Sequence, residues 1–329
     1  MKIKNNKRII LKVGEKMKGV VTLGEVLIDF IPIDDNMTFK KNPGGAPANV
    51  AAGVSRLGGK SGFIGKVGND NLGRYLKDVL ENFNVSTQNM ILTDEAHTGI
   101  VLVTLDENGE RSFEFYVNPS ADSLLREDDI KEEMFEGYRI LHIGTISMIN
   151  ETSKKATLKA VKLAKEKGMY ISFDPNLRLN LWESEERAKN TVFEVLDYVD
   201  ILKLSDEEIR FITGKNDLKE AIKEFEKYGI TLILVTLGKD GVLLNYKGRL
   251  EKVEGFPTKV VDTTGAGDAF VSGMLYSISS CQKGFEDITL DDIKYFAKIA
   301  NVCGAFAVSK KGAMSALPTL DEVLEILKR

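Results

Sequence analysis

Short apolar runs alternate with amphipathic segments along most of this chain of 329 residues. Residues 19–24, "GVVTLG", form a β-branched run closed by glycine, which is typical of a buried strand. Residues 47–58, "PANVAAGVSRLG", begin with proline and end with glycine, which predicts a helix. The same reasoning predicts strands at 61–68, 139–144, 169–176, 200–205, 231–238 and 241–246. It predicts helices at 70–83, 151–168, 183–197, 205–213, 216–228, 267–280, 290–306 and 319–328.

Buried strands that alternate with helices favour an α/β fold, with a mostly parallel sheet covered by helices on both faces. Two segments, residues 29–43 and 98–117, are strand-like but break this alternation. Asn108-Gly109 in the second segment is a strong hairpin signal. We predict that the two segments form a small antiparallel flap that closes over a ligand. The alternative is an edge hairpin of the main sheet.

Composition excludes several classes of function. The chain is 43% hydrophobic and 29% charged, as in globular proteins, and its net charge of −4 gives no general attraction to nucleic acids or anionic membranes. No apolar run approaches the roughly 18 residues of a spanning helix. Two cysteines, Cys281 and Cys303, lie in apolar helical patterns, so we expect buried free thiols and a cytoplasmic protein. With only two histidines, a general base is expected to be a carboxylate.

The first residues, 1–17, are basic and carry no signal-peptide pattern. We expect them to be a poorly ordered extension, with Met17 as a possible alternative start of translation. No Pro/Ser/Gly-rich linker divides the remainder, so residues 18–329 are expected to form one domain.

The stretch "DTTGAGDAF", residues 262–270, is a glycine-rich turn that leads into an apolar helix. Gly265, Ala266 and Gly267 are small enough for their backbone N–H groups to converge at a helix N-terminus, which makes an anion site without a lysine. Asp268 beside it is suited to take the proton of a substrate hydroxyl during phosphoryl transfer. The alternative is an ordinary acidic residue in the first turn of a helix.

A second glycine-rich stretch, "NPGGAPANV", precedes the helix at 47–58. Gly44 and Gly45 allow close approach of a ligand, and Asn49 offers both a donor and an acceptor, which suits a polyhydroxy compound. A plain turn into a helix is the alternative. The nearby "GGKS" does not complete a P-loop, and no dinucleotide fingerprint follows the first strand.

Acids follow several predicted strands, at the sheet edge where ligands of α/β proteins gather. In "FDPNLR", Asp174 could hold Mg²⁺ through water and Arg178 could clamp a substrate oxygen or a phosphate. Glu208 in "SDEE" could be a second acid near the metal, although Ser205 and Glu208 also form a helix capping box. Asp29 follows the first strand and is another acid at this ligand-binding edge. The alternative interpretation is a strand-terminal acid that faces water. "VTLGKDG", residues 235–241, is a turn that could border a nucleotide but equally an ordinary one.

Several of these motifs occur together in an order that resembles the ribokinase-like (PfkB) carbohydrate kinases. Two long stretches, residues 44–73 and 262–275, resemble the two signatures of that family. "GEVLIDF" and "DPNLR" make the resemblance closest to bacterial fructokinases, and it covers about residues 19–320. It implies a three-layer α/β sandwich with a β-sheet lid, and homodimers that form through the lid.

The resemblance also implies individual roles. Asp268 matches the catalytic base, and residues 265–267 match the anion hole for the γ-phosphate. The remaining correspondences are sugar binding by Asp29, Gly45 and Asn49; acids near Mg²⁺ at Asp174 and Glu208; ATP contacts at Thr236, Gly238, Gly241 and Asn301; and a loop for a monovalent cation such as K⁺ at Asp262 and Thr264. The chain departs from many ribokinases at Ser205, where they have asparagine, and at Ala316, where they can have serine.

The sequence therefore predicts an ATP- and Mg²⁺-dependent sugar kinase that makes fructose 6-phosphate. Within the same family the rival is a 2-keto-3-deoxygluconate kinase, because Arg178, Arg111 and the lid aromatics Phe113, Phe115 and Tyr116 could bind a carboxylate substrate. A sugar-responsive binding protein on a kinase fold is the rival from another class. A dinucleotide-dependent oxidoreductase is disfavoured by the missing fingerprint.

Overall fold

A computed structural model describes residues 18–33, 36–105 and 111–328, without the side chains of Leu105 and Arg111. The extension at 1–17 and the Asn108-Gly109 turn lie outside the described residues. The strands are β1 (Gly19–Leu23), β2 (Leu27–Pro32), β3 (Phe39–Gly44), β4 (Ser61–Gly68), β5 (Ser86–Thr93), β6 (Ile100–Leu105), β7 (Arg111–Phe115), β8 (Tyr138–Ile143), β9 (Tyr170–Phe173), β10 (Ile201–Ser205), β11 (Leu232–Thr236), β12 (Val242–Tyr246) and β13 (Arg249–Val253). The α-helices are α1 (Ala46–Arg56), α2 (Asn71–Asn82), α3 (Glu151–Glu166), α4 (Glu185–Phe193), α5 (Asp206–Thr213), α6 (Leu218–Lys223), α7 (Ala266–Ser280), α8 (Leu290–Val308) and α9 (Leu320–Leu327).

The larger sheet has nine strands in the order β13-β12-β11-β10-β9-β8-β1-β4-β5. The seven strands from β11 to β5 are parallel, whereas β12 is antiparallel to both of its neighbours. The mostly parallel α/β sheet predicted from the sequence is therefore confirmed. β5 and β13 are strands that the pattern did not predict, because "STQNMILT" and "RLEKV" are largely polar and lie at the two edges of the sheet.

Alternate residues of the central strands pack into two separate apolar clusters. Val20 packs in one cluster with Phe270 of α7, whereas the next residue, Val21, packs in another with Ala160 of α3. Successive side chains of a strand point to opposite faces, so continuous apolar runs predict burial on both faces. The result is the three-layer sandwich expected from the sequence. No helix among the described residues is long and apolar enough to cross a membrane.

Two predicted helices are shorter than the pattern indicated. The segment 183–197 forms α4 and then a 3₁₀ turn at Leu196–Tyr198, and the segment 216–228 forms α6 and then a 3₁₀ turn at Glu226–Tyr228. In each case the chain tightens before it re-enters the sheet, and a 3₁₀ turn is a common way for a helix to end.

The lid is a separate sheet of four strands in the order β3-β2-β6-β7. None of its described strands pairs with the larger sheet, so the edge-hairpin alternative is wrong. The prediction of a purely antiparallel flap is also wrong, because β2 and β6 pair in parallel. Both strands follow segments that leave the same edge of the larger sheet, after β1 and after β5, and they therefore run in the same direction. The outer pairs, β2–β3 and β6–β7, are antiparallel.

Candidate active site

A cleft of about 770 Å³ lies between the lid and the carboxyl ends of the parallel strands. The lid contributes Asp29 and Phe113, the start of α1 contributes Gly45 and Asn49, and the opposite wall is the segment 260–268. Residues that are more than 200 positions apart in the chain thus meet at the edge where ligands bind in open α/β sheets.

The turn before α7 has the backbone geometry of an anion site. Gly265 has φ 76°, in the left-handed region, and no side chain caps α7, so the positive end of the helix faces the cleft. A Cβ atom at Gly265 would lie 2.8 Å from the Cβ of Ala313. Glycine is therefore required here both for its φ angle and for space. Gly265, Ala266 and Gly267, for which the sequence predicts an anion site, all line the cleft.

Asp268 lies in the first turn of α7 and is buried, yet it lines the cleft. Asn49 Nδ2 of α1 donates a hydrogen bond to its Oδ2 atom over 2.8 Å. Burial raises the pKa of Asp268 to about 6, while the hydrogen bond from Asn49 opposes this increase. A carboxylate in this range is mostly ionised at neutral pH and can accept a proton.

The glycine pair at 44–45 has a packing role that the sequence did not reveal. A Cβ atom at Gly44 would lie 2.2 Å from Oδ2 of Asp29, and one at Gly45 would lie 2.5 Å from the carbonyl oxygen of Glu25. Gly45 has φ 104° and lines the cleft, whereas Gly44 supports the Asp29 carboxylate from behind. Burial raises the pKa of Asp29 to about 6, against the attraction of Arg178.

Arg178 also lines the cleft. Its Nη1 atom donates a hydrogen bond to Asn176 Oδ1 over 2.8 Å. Its positive charge opposes the increase that burial causes in the pKa values of Asp29 and Asp268.

Two buried ionisable groups of the cleft were not predicted. Glu25 lines it and accepts a hydrogen bond from the backbone N–H of Ala46 over 2.9 Å, and burial raises its pKa to about 8. Lys203 of β10 also lines it. A lysine in the otherwise apolar run "ILKLS" is a signal that could have been recognised, because lysine is rarely buried without a partner.

The two acids assigned to Mg²⁺ already have protein partners. Asp174 Oδ2 lies 2.9 Å from Lys203 Nζ, and its buried Oδ1 has no hydrogen-bond partner among the described residues. Glu208 accepts backbone N–H groups on both oxygens, from Leu177 and from Ser205, each over 2.8 Å. Ser205 Oγ accepts from Glu208 N, so the capping box is present.

In the described part of the chain, no group of three or more His, Cys, Asp or Glu side chains is arranged to hold a metal ion. Asp262 Oδ1 accepts from Thr264 N over 2.9 Å and Oδ2 accepts from Gly312 N over 3.1 Å. These bonds tie the turn before α7 to the segment that follows α8. Asp262 and Thr264 both line the cleft.

A second pocket, of about 320 Å³, adjoins the cleft beyond the same turn. The four residues assigned to ATP all line it: Thr236, Gly238, Gly241 and Asn301. Phe256 and Phe270 supply apolar surface, while Ala266 and Gly267 border both cavities. The turn thus lies where two ligands would meet. Asn301 Nδ2 itself donates to the backbone oxygens of Val253 and Glu254, so it shapes this pocket.

This two-pocket architecture, with an acid and an anion site at the junction, is that of a phosphotransferase. The model of the pfkB family carbohydrate kinases matches residues 17–320, and the chain belongs to that family. It is a sugar kinase, with an alcohol as phosphate acceptor.

Several of the proteins that are similar to this chain are fructokinases. A probable fructokinase of Arabidopsis thaliana is 42% identical over 322 residues, which cover 96% of this chain and 97% of the relative. A fructokinase structure from Vibrio cholerae O395 with fructose, ADP and calcium ion bound is 39% identical, with a TM-score of 0.87 over 95% of this chain and 100% of the other. A double mutant from the same source, with fructose, ADP and potassium ion bound, is 38% identical, with the same TM-score and coverage.

Proposed function

We propose that this protein phosphorylates fructose with ATP and releases fructose 6-phosphate and ADP. The observation that carries the proposal is the position of Asp268, which lies in the cleft beside the turn that the two pockets share. Full-length similarity to fructokinases, one of them solved with fructose and ADP, supports fructose as the acceptor.

In the proposed mechanism, fructose occupies the cleft under the lid and ATP occupies the second pocket. Asn49 and Asp29 bind sugar hydroxyls, and Arg178 contributes a positive charge on the same side. Asp268 orients the attacking hydroxyl and takes its proton as the bond to phosphorus forms. A late proton transfer suits a carboxylate, because the hydroxyl becomes acidic only as it bonds to phosphorus. The uncapped N-terminus of α7 stabilises the charge of the transferred group.

Mg²⁺ is proposed to enter with the nucleotide. Direct coordination by Glu208 does not fit, because backbone N–H groups occupy both of its oxygens. Asp174 and Glu208 are suited instead to the water shell of the ion, since Mg²⁺ keeps several waters when phosphates supply its other ligands. When bound, the ion would neutralise negative charge on the phosphates. The turn held by Asp262, with Thr264, is the proposed site for K⁺, which is supported by the potassium-bound fructokinase.

A homodimer through the lid is a further part of the proposal. The lid and its flanking residues expose apolar side chains, with Ile33 66%, Met37 86% and Tyr116 61% exposed. Exposed apolar patches of this kind mark interaction sites. Sedimentation equilibrium of the wild type and of Met37→Lys tests this: a dimer that dissociates in the variant supports the lid interface, and an unchanged dimer contradicts it.

The test of the activity is a coupled assay of ADP release with fructose, ribose and 2-keto-3-deoxygluconate. We expect the highest kcat/KM with fructose. Asp268→Asn should lower kcat by at least about 10²-fold while the protein stays folded, which is the usual effect of removing a general base. A higher kcat/KM with 2-keto-3-deoxygluconate than with fructose would contradict fructose as the substrate. Sugar binding without ADP release would indicate a binding protein.

A further inference from the structure

Lys203, at the centre of β10, is buried and lines the cleft, and the proposed mechanism does not use it. The Lys203 side chain is only 9% exposed, and its neighbours in the strand, Leu202 and Leu204, are fully buried. Holding an ammonium group in such a place costs free energy unless it is paired. The position therefore requires an explanation beyond packing.

Asp174, just past the neighbouring strand β9, supplies the nearest partner, with its Oδ2 atom 2.9 Å from Lys203 Nζ. With a carboxylate oxygen at this distance, Lys203 is held as one half of a buried ion pair. A purely structural ion pair in the core would show the same contact, so this contact alone does not indicate a functional role.

The second contact of the ammonium distinguishes it from a structural pair. A Cβ atom at Gly267 would lie 3.2 Å from Lys203 Nζ, so the ammonium faces the backbone of the anion turn at a glycine. Lys203 also lines the cleft together with Asp268. Two positive features, the N-terminus of α7 and this ammonium, therefore converge on one point beside the base.

We propose that Lys203 is a catalytic residue that binds the phosphoryl group during transfer, and that Asp174 is its positioning residue. This rests on the kinase function proposed above. The bond between the γ-phosphorus and the ADP oxygen breaks as the bond to the sugar oxygen forms, and the hydroxyl proton passes to Asp268. Lys203 keeps its protons throughout and stabilises charge on the phosphoryl oxygens, as preorganised cationic groups do in phosphoryl transfer.

A charge-matched double variant separates this role from a structural one. Lys203→Met leaves Asp174 as an unpaired buried charge and can unfold the protein for that reason alone. Lys203→Met/Asp174→Asn removes both charges and should restore the fold. Asp174→Asn alone lacks the same carboxylate near the proposed Mg²⁺ but keeps the ammonium, so it is the reference for the double variant. If Lys203 acts on the phosphoryl group, kcat of the folded double variant stays at least about 10²-fold below that of Asp174→Asn. A kcat within about threefold of that of Asp174→Asn would overturn the proposal.

Nucleotide binding without sugar gives a readout that does not depend on which sugar is used. Titration calorimetry with ADP and with the non-hydrolysable analogue AMP-PNP should show that the double variant loses affinity for the analogue by about tenfold or more, while its affinity for ADP is retained. A contact of a charged group with the γ-phosphate is worth this much. Equal losses for both nucleotides, or no loss, would contradict the proposal.

The chain offers a matched control in a second buried lysine of the same sheet. Lys66 of β4 lies 2.5 Å from Asp129 and does not line the cleft. Lys66→Met/Asp129→Asn should leave the preference for AMP-PNP over ADP unchanged. If the Lys203→Met/Asp174→Asn variant loses affinity for AMP-PNP but not for ADP, and the wild type does not phosphorylate fructose, the proposed substrate fails while the role of Lys203 stands. If the wild type binds neither nucleotide, both proposals fail.

Discussion

Asn49 Nδ2 donates a hydrogen bond to Asp268 Oδ2 over 2.8 Å, and this bond joins α1 to α7 between residues 219 positions apart. Both side chains are buried. The other end of the amide, Asn49 Oδ1, has no hydrogen-bond partner among the described residues. A buried acceptor without a partner is costly, so this atom is suited to receive a hydroxyl of the ligand. One amide can thus orient the base and the substrate together.

Removing this amide should raise the pKa of the base. The hydrogen bond favours the ionised form of Asp268, so in Asn49→Ala we expect the acid limb of the kcat/KM profile to move to higher pH. We also expect kcat/KM at its optimum to fall by about tenfold or more, since a hydrogen bond to a charged group is worth roughly 1.5–3 kcal/mol. A pH–rate series from pH 5 to 9 measures both effects. An unshifted acid limb would show that Asn49 does not act on the base.

The wild-type enzyme should lose activity as the pH falls through about 6. Burial raises the pKa values of both Asp268 and Asp29 to about 6, and the charge of Asp268 adds to the increase at Asp29. If both must be ionised, log kcat/KM should fall with a slope approaching two at low pH. Asp29→Asn should lower activity and reduce this slope to one. A slope of one in the wild type would indicate that a single carboxylate controls the profile.

Asp268→Asn should make the folded protein more stable at neutral pH. The folded-state pKa of about 6 lies above the ordinary 3.8, so ionising this buried carboxyl group opposes folding. At 1.36 kcal/mol per pKa unit, the variant should gain up to about 3 kcal/mol in the free energy of unfolding above pH 6.

The sign of that effect can be checked across pH. The gain should shrink between pH 6 and 4 and vanish below about pH 4, where the carboxyl group is neutral in both the folded and the unfolded states. Urea unfolding at pH 7.5 and at pH 4 measures the difference. Equal stabilities of variant and wild type at pH 7.5 would mean that the carboxylate is well solvated in the folded protein.

The anion turn should not tolerate a methyl group. Gly265 and Gly58 both have positive φ angles, 76° and 89°, but a Cβ atom at Gly58 would meet nothing within 4 Å, whereas one at Gly265 would lie 2.8 Å from the Cβ of Ala313. Gly58→Ala should cost about 1 kcal/mol in the free energy of unfolding, from backbone strain alone. Gly265→Ala should cost more and should also raise the KM for ATP. Equal costs in the two variants, with an unchanged KM, would contradict the tight packing of this turn.

Much of this protein was determined by its local sequence. Runs such as "GVVTL" are short, rich in β-branched residues and mostly apolar, which is typical of a strand buried on both faces, so the parallel sheet and its covering helices could be predicted. "GAGD" before an apolar helix likewise predicted an anion site with an adjacent acid, because glycine geometry and the N-terminus of a helix act over a few residues.

Tertiary structure alone decided how these pieces are arranged. The polar edge strands β5 and β13 exist because a neighbour offers them backbone hydrogen bonds, and the parallel pairing of β2 with β6 follows from where two distant segments leave the sheet. The contacts of Asp268 with Asn49 and of Lys203 with Asp174 join residues that no local pattern connects. Side-chain charges interact through space, and only the fold fixes those distances. The sequence therefore identified candidate reacting groups, and the tertiary structure determined which of them lie together.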